Sequence, residues 1–185
     1  GGVHRRYGIY PDIAVFAKSM ANGYAMAAIL GTEEVMQAAQ STFVSSTNWT
    51  ERIGPTAALA TLKKYQETQT DKHIISIGNK TQQIWRDAAL KTGLQIDVTG
   101  LPTLSAFGFK SDKSMELNTR FSIEMLQRGF LGFRQFKPSL AHGDVELEKY
   151  KNAVDDVFLL LSKLSNDEII SSPVAHTGLH RLTKE

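Results

Sequence analysis

The sequence predicts an α/β fold made of two consecutive parts. Near the start, short apolar runs end at glycine or at a small polar turn, as over residues 13–17 and 25–30. Further along, apolar residues recur every three or four positions, most clearly over residues 144–164. Strand-like and helix-like segments that alternate along one chain favour a layered α/β architecture. The pattern changes near residue 70, so we predict a first part over residues 1–69 and a second over 70–170, with a surface tail over 171–185.

The first part is predicted to contain two short strands and two helices. The apolar runs at 13–17 and 25–30 are predicted to be buried strands. Thr32 is a good helix N-cap because two acidic residues follow it in the first turn. The polar and aromatic stretch 43–54 predicts a loop, and Pro55 opens the next helix because the first turn does not need its missing N–H. The apolar face of that helix would comprise Ala58, Leu59, Leu62 and Tyr65.

The second part is predicted to follow the order α-β-β-α-β-α, which is typical of a small α+β domain. Glycines separate several of these segments, and Gly93 is a natural C-cap for the first helix. The predicted elements are a helix over 71–92, strands over 94–98 and 103–109, a helix from 114 to 129, a strand over 130–136 and a helix over 144–164.

The amino-acid composition excludes several classes of partner and of chemistry. The 185 residues are 42% hydrophobic, which is enough for one sizeable core or for one domain and part of another. The net charge is +2 without a long basic run, so neither a nucleic acid nor a membrane surface is indicated as a partner. The sequence has no cysteine, which excludes disulfides, thiolate metal ligands and a cysteine nucleophile. We expect a cytoplasmic protein and predict no metal site.

Lys18 is the strongest candidate for a functional side chain. It ends the apolar run 13–17 and precedes small residues that lead to Gly23. Desolvation at the end of a strand favours the neutral amine, which is the form that attacks a carbonyl group to make a Schiff base. Taken alone, a lysine at a strand end is far more often a surface residue, since lysines mostly stay exposed.

Several segments resemble the class-III aminotransferases, and especially the branch of glutamate-1-semialdehyde aminomutase. Pro11-Asp12-Ile13 leads to Ala17-Lys18 and then to Asn22-Gly23-Tyr24, as in the lysine segment of that family. The stretch 43–55 resembles the family's Thr-x-x-x-x-Pro segment before an alanine-rich helix. Weaker matches cover 136–142 and the tail 174–182. The resemblance implies fold type I and the cofactor pyridoxal 5′-phosphate (PLP), with this chain forming the end of the large domain and the small C-terminal domain.

The resemblance also implies roles for two residues. Lys18 would hold PLP as a Schiff base and then act as a general base in amino-group transfer. Thr50, five residues before Pro55, would contact the PLP phosphate of the neighbouring subunit near a helix N-terminus. The implied partners are a small-molecule amino donor and acceptor, and a second copy of the chain in a homodimer with shared active sites. Arg52 and Arg134 are weaker candidates for holding a substrate carboxylate, and Gln135 stands near a position where many members have arginine.

Two questions stay open at the level of sequence. Aminotransferase and aminomutase activities would use the same residues, so the sequence does not separate them. The family's acidic partner of the PLP ring nitrogen, its stacking aromatic ring and its glycine-rich turn lie upstream of the lysine segment, and this sequence begins only shortly before that segment. We therefore expect this chain alone to bind PLP poorly. The alternative is a non-catalytic folded fragment or dimerisation module of the longer enzyme.

Overall fold

The computed structural model describes residues 2–165, 167–169 and 173–175. It divides the chain into two compact units, Gly1–Gln69 and Thr70–Glu185. Gln69 itself adopts a left-handed backbone conformation with φ of 47° at the boundary. We call these unit 1 and unit 2 and describe each by itself.

Unit 1 is built on a small antiparallel hairpin with helices before and after it. In the hairpin, Val15 stands opposite Ile29 and Ile13 opposite Gly31. A short 3-10 turn, Lys18–Met20, follows the first strand. The elements are α1 (Val3–Arg6), β1 (Ile13–Phe16), β2 (Ala28–Gly31), α2 (Glu33–Ala39) and α3 (Ile53–Glu67).

The prediction that the first strand is buried was wrong. Ile13 and Val15 are 51% and 66% exposed, because β1 pairs only with β2 in a two-stranded sheet and its outward face has no covering layer. The predicted apolar face of α3 is covered only in part. Ala58 is buried, whereas Leu59, Leu62 and Tyr65 are exposed. Unit 1 therefore presents apolar side chains on both its hairpin and its longest helix.

Unit 2 is a three-stranded antiparallel sheet packed against three helices. The strand order is β3-β4-β5, and every second residue of β4 from Ser105 is buried. That alternation of buried and accessible residues gives the sheet one face toward a core. The elements are α4 (Thr70–Thr92), β3 (Ile96–Leu101), β4 (Leu104–Phe109), α5 (Ser114–Gln127), β5 (Gln135–Phe136) and α6 (Asp144–Lys163).

Aromatic rings fill the core of unit 2. Trp85 of α4 lies 4.9 Å from Phe107 of β4, measured between ring centroids, and Phe121 of α5 meets Phe107 edge-on at 5.1 Å. Phe158 of α6 completes the cluster at 5.8 Å from Phe107. Tilted and edge-on aromatic pairs stabilise a core beyond the area they bury. Each of the three helices thus contributes one aromatic ring to the cluster around Phe107.

One predicted strand of unit 2 is much shorter than expected. Residues 130–136 were predicted to be extended, but only Gln135 and Phe136 pair with β4. Gly132 lies against Met125, where a Cβ would come within 2.5 Å of the Met125 Cβ, so this stretch follows α5 instead of the sheet edge. Of the predicted tail, most residues lie outside the described part of the chain, although the Ala175 N–H donates a hydrogen bond to Thr119 Oγ1 at 3.1 Å.

Candidate active site

Lys18 occupies an unusual backbone conformation at the end of β1. Its φ is 54°, in the left-handed region, where the Cβ of an L-residue crowds the following carbonyl oxygen. Such conformations cost free energy and persist where the surrounding structure holds them, often at functional sites. The Lys18–Met20 turn is closed by a hydrogen bond from the Met20 N–H to the Ala17 carbonyl oxygen at 3.3 Å. The sequence therefore places a lysine where a glycine would fit more easily.

Backbone hydrogen bonds and one buried residue hold the segment after Lys18. The Asn22 N–H donates to the Ser19 carbonyl oxygen, and the Tyr24 N–H donates to that of Ala21, both at 3.3 Å. Ala21 is fully buried and anchors the segment in unit 1. Lys18 itself is exposed, and its ammonium group makes no salt bridge or hydrogen bond with any described residue. The backbone is thus fixed, while the amine is available to a ligand.

Thr50 lies in the loop before α3, where consecutive turns hold its neighbours. The Trp49 N–H donates to the Ser46 carbonyl oxygen at 3.2 Å, and the Glu51 N–H donates to that of Asn48 at 3.1 Å. Between these two bonds, the N–H and hydroxyl of Thr50 make no hydrogen bond with another described residue. Thr50 therefore offers two adjacent donors to an anion.

Glu51 caps the N-terminus of α3 through its carboxylate, a role that the sequence pattern did not indicate. Its carboxylate accepts hydrogen bonds from the N–H groups of Ile53 and Gly54, the latter at 2.9 Å. The first N–H groups of a helix have no partner within it, so a carboxylate at this place satisfies them and interacts favourably with the helix dipole. The available signal was an acidic residue just ahead of a Gly-Pro helix start. Its geometry depends on a backbone turn that no sequence pattern specifies.

Gly54 brings α3 close to the segment that follows the lysine. A Cβ at Gly54 would lie 2.7 Å from the carbonyl oxygen of Ala25 and 3.4 Å from the Cβ of Met26. Only glycine permits this approach without a shift of the backbone. The same helix also contacts the Lys18–Met20 turn. The start of α3, which follows the loop of Thr50, is therefore packed on the segment after Lys18 within unit 1, and no hydrogen bond joins the side chains of Lys18 and Thr50.

The weaker candidates have other surroundings. Arg52 is exposed at the start of α3, and Arg134, in unit 2, lies with its guanidinium 5.6 Å from the ring centre of Phe133. Gln135 is exposed at the sheet edge in β5. Among the residues that the structure describes, no cluster of three or more His, Asp or Glu side chains could hold a metal ion. A helix that is long and apolar enough to cross a membrane is likewise absent from the described ranges.

Comparison with known families decides what this arrangement belongs to. The family model "Aminotransferase class-III" matches residues 3–141, a stretch that includes both Lys18 and Thr50. The chain belongs to the class-III aminotransferases. The match covers all of unit 1 from its first helix and reaches into unit 2 as far as the loop before α6.

Curated relatives include both activities that the sequence left open. The 3-aminobutyryl-CoA aminotransferase of Cloacimonas acidaminovorans is 28% identical over 155 residues, which is 77% of this chain and 37% of the relative. The glutamate-1-semialdehyde 2,1-aminomutase of Methanocaldococcus jannaschii is 26% identical over 181 residues, which is 85% of this chain and 41% of the relative. The chain therefore spans about two fifths of the length of these relatives.

Solved structures share the fold of this class-III chain. The FumI protein of Sphingopyxis sp. MTA144, solved in its PLP internal aldimine form, has a TM-score of 0.79 at 24% identity. The similarity covers 85% of this chain and 39% of that one. The α/β architecture predicted from the sequence as part of a PLP-dependent transferase fold is thus confirmed.

Proposed function

We propose that this chain supplies the cofactor-holding lysine of a PLP-dependent class-III enzyme that moves an amino group. The observation that carries the proposal is the amine of Lys18, which has no partner among the described residues, on a fixed, left-handed backbone at the end of β1. A freely mobile surface lysine would not require that conformation. The family match over this segment supports the same role.

The described residues fit the chemistry of PLP at both of its ends. An aldehyde needs an amine, which Lys18 offers without an ion pair to any residue that the structure describes. A phosphate needs hydrogen-bond donors, which the Thr50 N–H and hydroxyl offer. When bound, PLP supplies an electron sink that stabilises negative charge on the carbon bearing the substrate amine. Lys18 Nζ would hold the cofactor covalently and, once the substrate amine has displaced it, would take up and return a proton as general base.

We further propose a homodimer in which Thr50 donates hydrogen bonds to the phosphate of the PLP that is held by the partner subunit. The donor of the amino group would be a small-molecule amine. The separate positions of Lys18 and Thr50, on two loops with no hydrogen bond between the side chains, are compatible with contributions to two different cofactor sites. A cytoplasmic location is proposed because the sequence contains no cysteine.

Reductive trapping tests the role of Lys18. The whole natural polypeptide that contains this sequence is incubated with PLP, reduced with borohydride and digested, and the peptides are analysed by mass spectrometry. We expect the phosphopyridoxyl group on the peptide that contains Lys18. The exposed lysines Lys63 and Lys64 of α3 provide an internal control for non-specific labelling. Equal labelling of all three, or labelling that persists in Lys18→Ala, would refute the proposal.

Transfer between two molecules and migration within one molecule both fit this site, since relatives of both kinds match the chain. Incubation of the whole polypeptide with glutamate-1-semialdehyde alone separates them. Isomerisation without a second amino acceptor identifies an aminomutase.

A second candidate function is a non-catalytic folding or association module. The exposed apolar residues of the β1–β2 hairpin favour it as the behaviour of this chain by itself, because such surfaces promote association.

A further inference from the structure

We propose that Glu51 is a positioning residue that sets the geometry of Thr50 toward the cofactor phosphate. The inference rests on the proposed function, because it concerns the same phosphate contact. Glu51 acts without touching the cofactor. It holds the loop that carries Thr50, which is its neighbour in the sequence.

Glu51 is held by two hydrogen bonds to the start of α3. Both of its carboxylate oxygens are used, one by the Ile53 N–H and the other by the Gly54 N–H. Hydrogen bonds to a charged acceptor are stronger than those between neutral groups. Two of them on one carboxylate fix its orientation, and with it the backbone of residue 51.

The two N–H groups that bind the Glu51 carboxylate belong to a closely packed part of unit 1. Gly54 lies so close to Ala25 and Met26 that it could not carry a side chain, and α3 contacts the Lys18–Met20 turn. The start of α3 is therefore a fixed point of unit 1. Glu51 ties the loop to this point, and the Glu51 N–H donates back to the Asn48 carbonyl oxygen at 3.1 Å. Thr50 lies between these two attachments.

Glu51 also determines which hydrogen-bond donors remain for an anion. The Ile53 and Gly54 N–H groups are occupied by Glu51, so the phosphate would be held by the N–H and hydroxyl of Thr50, which have no partner among the described residues. A free helix N-terminus would offer its N–H groups to a phosphate. Here the carboxylate of Glu51 already binds those N–H groups, so phosphate binding depends on the loop geometry that Glu51 maintains.

The experiment compares PLP with pyridoxal, which lacks the phosphate, in the whole natural polypeptide. Dissociation constants are measured by absorbance titration for the wild type, Glu51→Gln, Glu51→Ala, Thr50→Val and the double variant Glu51→Ala/Thr50→Val. Loss of a helix-start acceptor of this kind corresponds to about threefold to tenfold weaker binding of PLP for Glu51→Ala. Glu51→Gln keeps one acceptor oxygen and should fall between the wild type and Glu51→Ala. Pyridoxal binding should stay unchanged in all variants.

The double variant distinguishes positioning from a general loss of stability. If Glu51 acts through Thr50, Glu51→Ala should weaken PLP binding less in the Thr50→Val background, where only the N–H of residue 50 remains to be positioned, than in the wild type. Glu34→Ala, which removes an acidic residue from the first turn of α2 in the same unit, is the matched control and should leave both affinities unchanged.

Two different failures can be told apart. A wild type that forms no borohydride-stable adduct at Lys18 would overturn the proposed function, and this inference with it. A wild type that forms the adduct, together with Glu51 variants that bind PLP normally or lose PLP and pyridoxal equally, would overturn the role of Glu51 alone. Fully additive effects of Glu51→Ala and Thr50→Val would do the same.

Discussion

Lys18 adopts a conformation that its own side chain makes unfavourable. Among the described residues only Asn22 and Gln69 share a positive φ without being glycine, and asparagine tolerates that region better than lysine does. A residue chosen for stability alone would be glycine. The proposed chemical role of its amine would account for a lysine at this position.

The conflict between the Lys18 side chain and its backbone conformation should be measurable as a difference in stability. Lys18→Gly should increase the stability of unit 1 by about 0.5–1 kcal/mol relative to Lys18→Ala, because alanine keeps the Cβ that crowds the backbone and glycine removes it. Amide hydrogen exchange of β1 and β2 measures the change within unit 1. Asn22→Gly is the control and should give a smaller gain. A Lys18→Gly variant that is less stable than Lys18→Ala would contradict the argument.

Residues differ in how far their sequence context reveals them. Lys18 could be selected as a candidate because an apolar run before it and a glycine after it form a compact local pattern. Glu51 could not, because its role depends on a loop that turns its carboxylate back onto the helix that follows. Patterns of apolar residues specify helices and strands, whereas a capping contact depends on backbone angles that several sequences share.

At the scale of single elements, α5 contains the most deeply buried charge described in unit 2. Glu124 is only 5% exposed, and its carboxylate accepts hydrogen bonds from Arg120 and Arg128, with the closest contact to each at 2.8 Å. Burial by itself would raise the pKa of Glu124. The hydrogen bonds from Arg128 and Arg120, together with their charges, outweigh it and lower the pKa below its ordinary value.

A pH-dependent contribution to stability follows. Because the folded state lowers the pKa of Glu124, its ionised form stabilises the protein above the carboxyl's ordinary pKa, and this stabilisation is lost as the pH falls through the lower, folded value. Glu124→Gln should therefore lower the free energy of unfolding by about 1–3 kcal/mol at neutral pH. The difference from the wild type should shrink in acid.

Urea unfolding at neutral pH and in acid checks this prediction. Glu148→Gln is the matched control, since Glu148 is exposed on α6 and lies 3.8 Å from the Lys151 ammonium group. It should change stability little at any pH, as exposed ion pairs generally do. A loss of stability in Glu124→Gln that is equally large in acid would show that packing, not charge, is responsible.

Elements were predictable in proportion to their length. α4, α5 and α6 each show several turns of apolar periodicity, and the structure confirms them. β5 has only two paired residues. The residues before it lie against α5, where Gly132 contacts Met125, although their apolar composition would suit a longer strand. A short strand takes its bounds from its neighbours, which a single sequence does not display.

At the scale of the whole molecule, the two units differ in how well they bury their apolar residues. Unit 2 surrounds Phe107 with rings from three helices. Unit 1 leaves Ile13, Val15 and Ile29 more than half exposed, and the pairing of Val15 with Ile29 puts these three side chains on one face of the hairpin. The sequence predicted these residues as buried because apolar runs usually are. We expect this face to be covered in a polypeptide as long as the curated relatives.

This chain by itself should consequently associate through that face. We expect its sedimentation coefficient to rise with protein concentration, because removing exposed apolar side chains from water favours contact between copies. Val15→Thr combined with Ile29→Thr should shift the equilibrium toward the monomer, since each change places a hydroxyl on the face while threonine keeps its preference for strands.

Val145→Thr supplies a control of the same chemistry, because Val145 is 63% exposed, comparable to the 66% of Val15, but lies on α6 in unit 2. It should leave association unchanged if the hairpin face is responsible. Sedimentation velocity on all three proteins distinguishes the cases. A wild-type chain that stays monomeric at every concentration would show that the exposed face is too small to drive association. An equal effect of Val145→Thr would show that general surface polarity, and not the pairing of Val15 with Ile29, controls the behaviour.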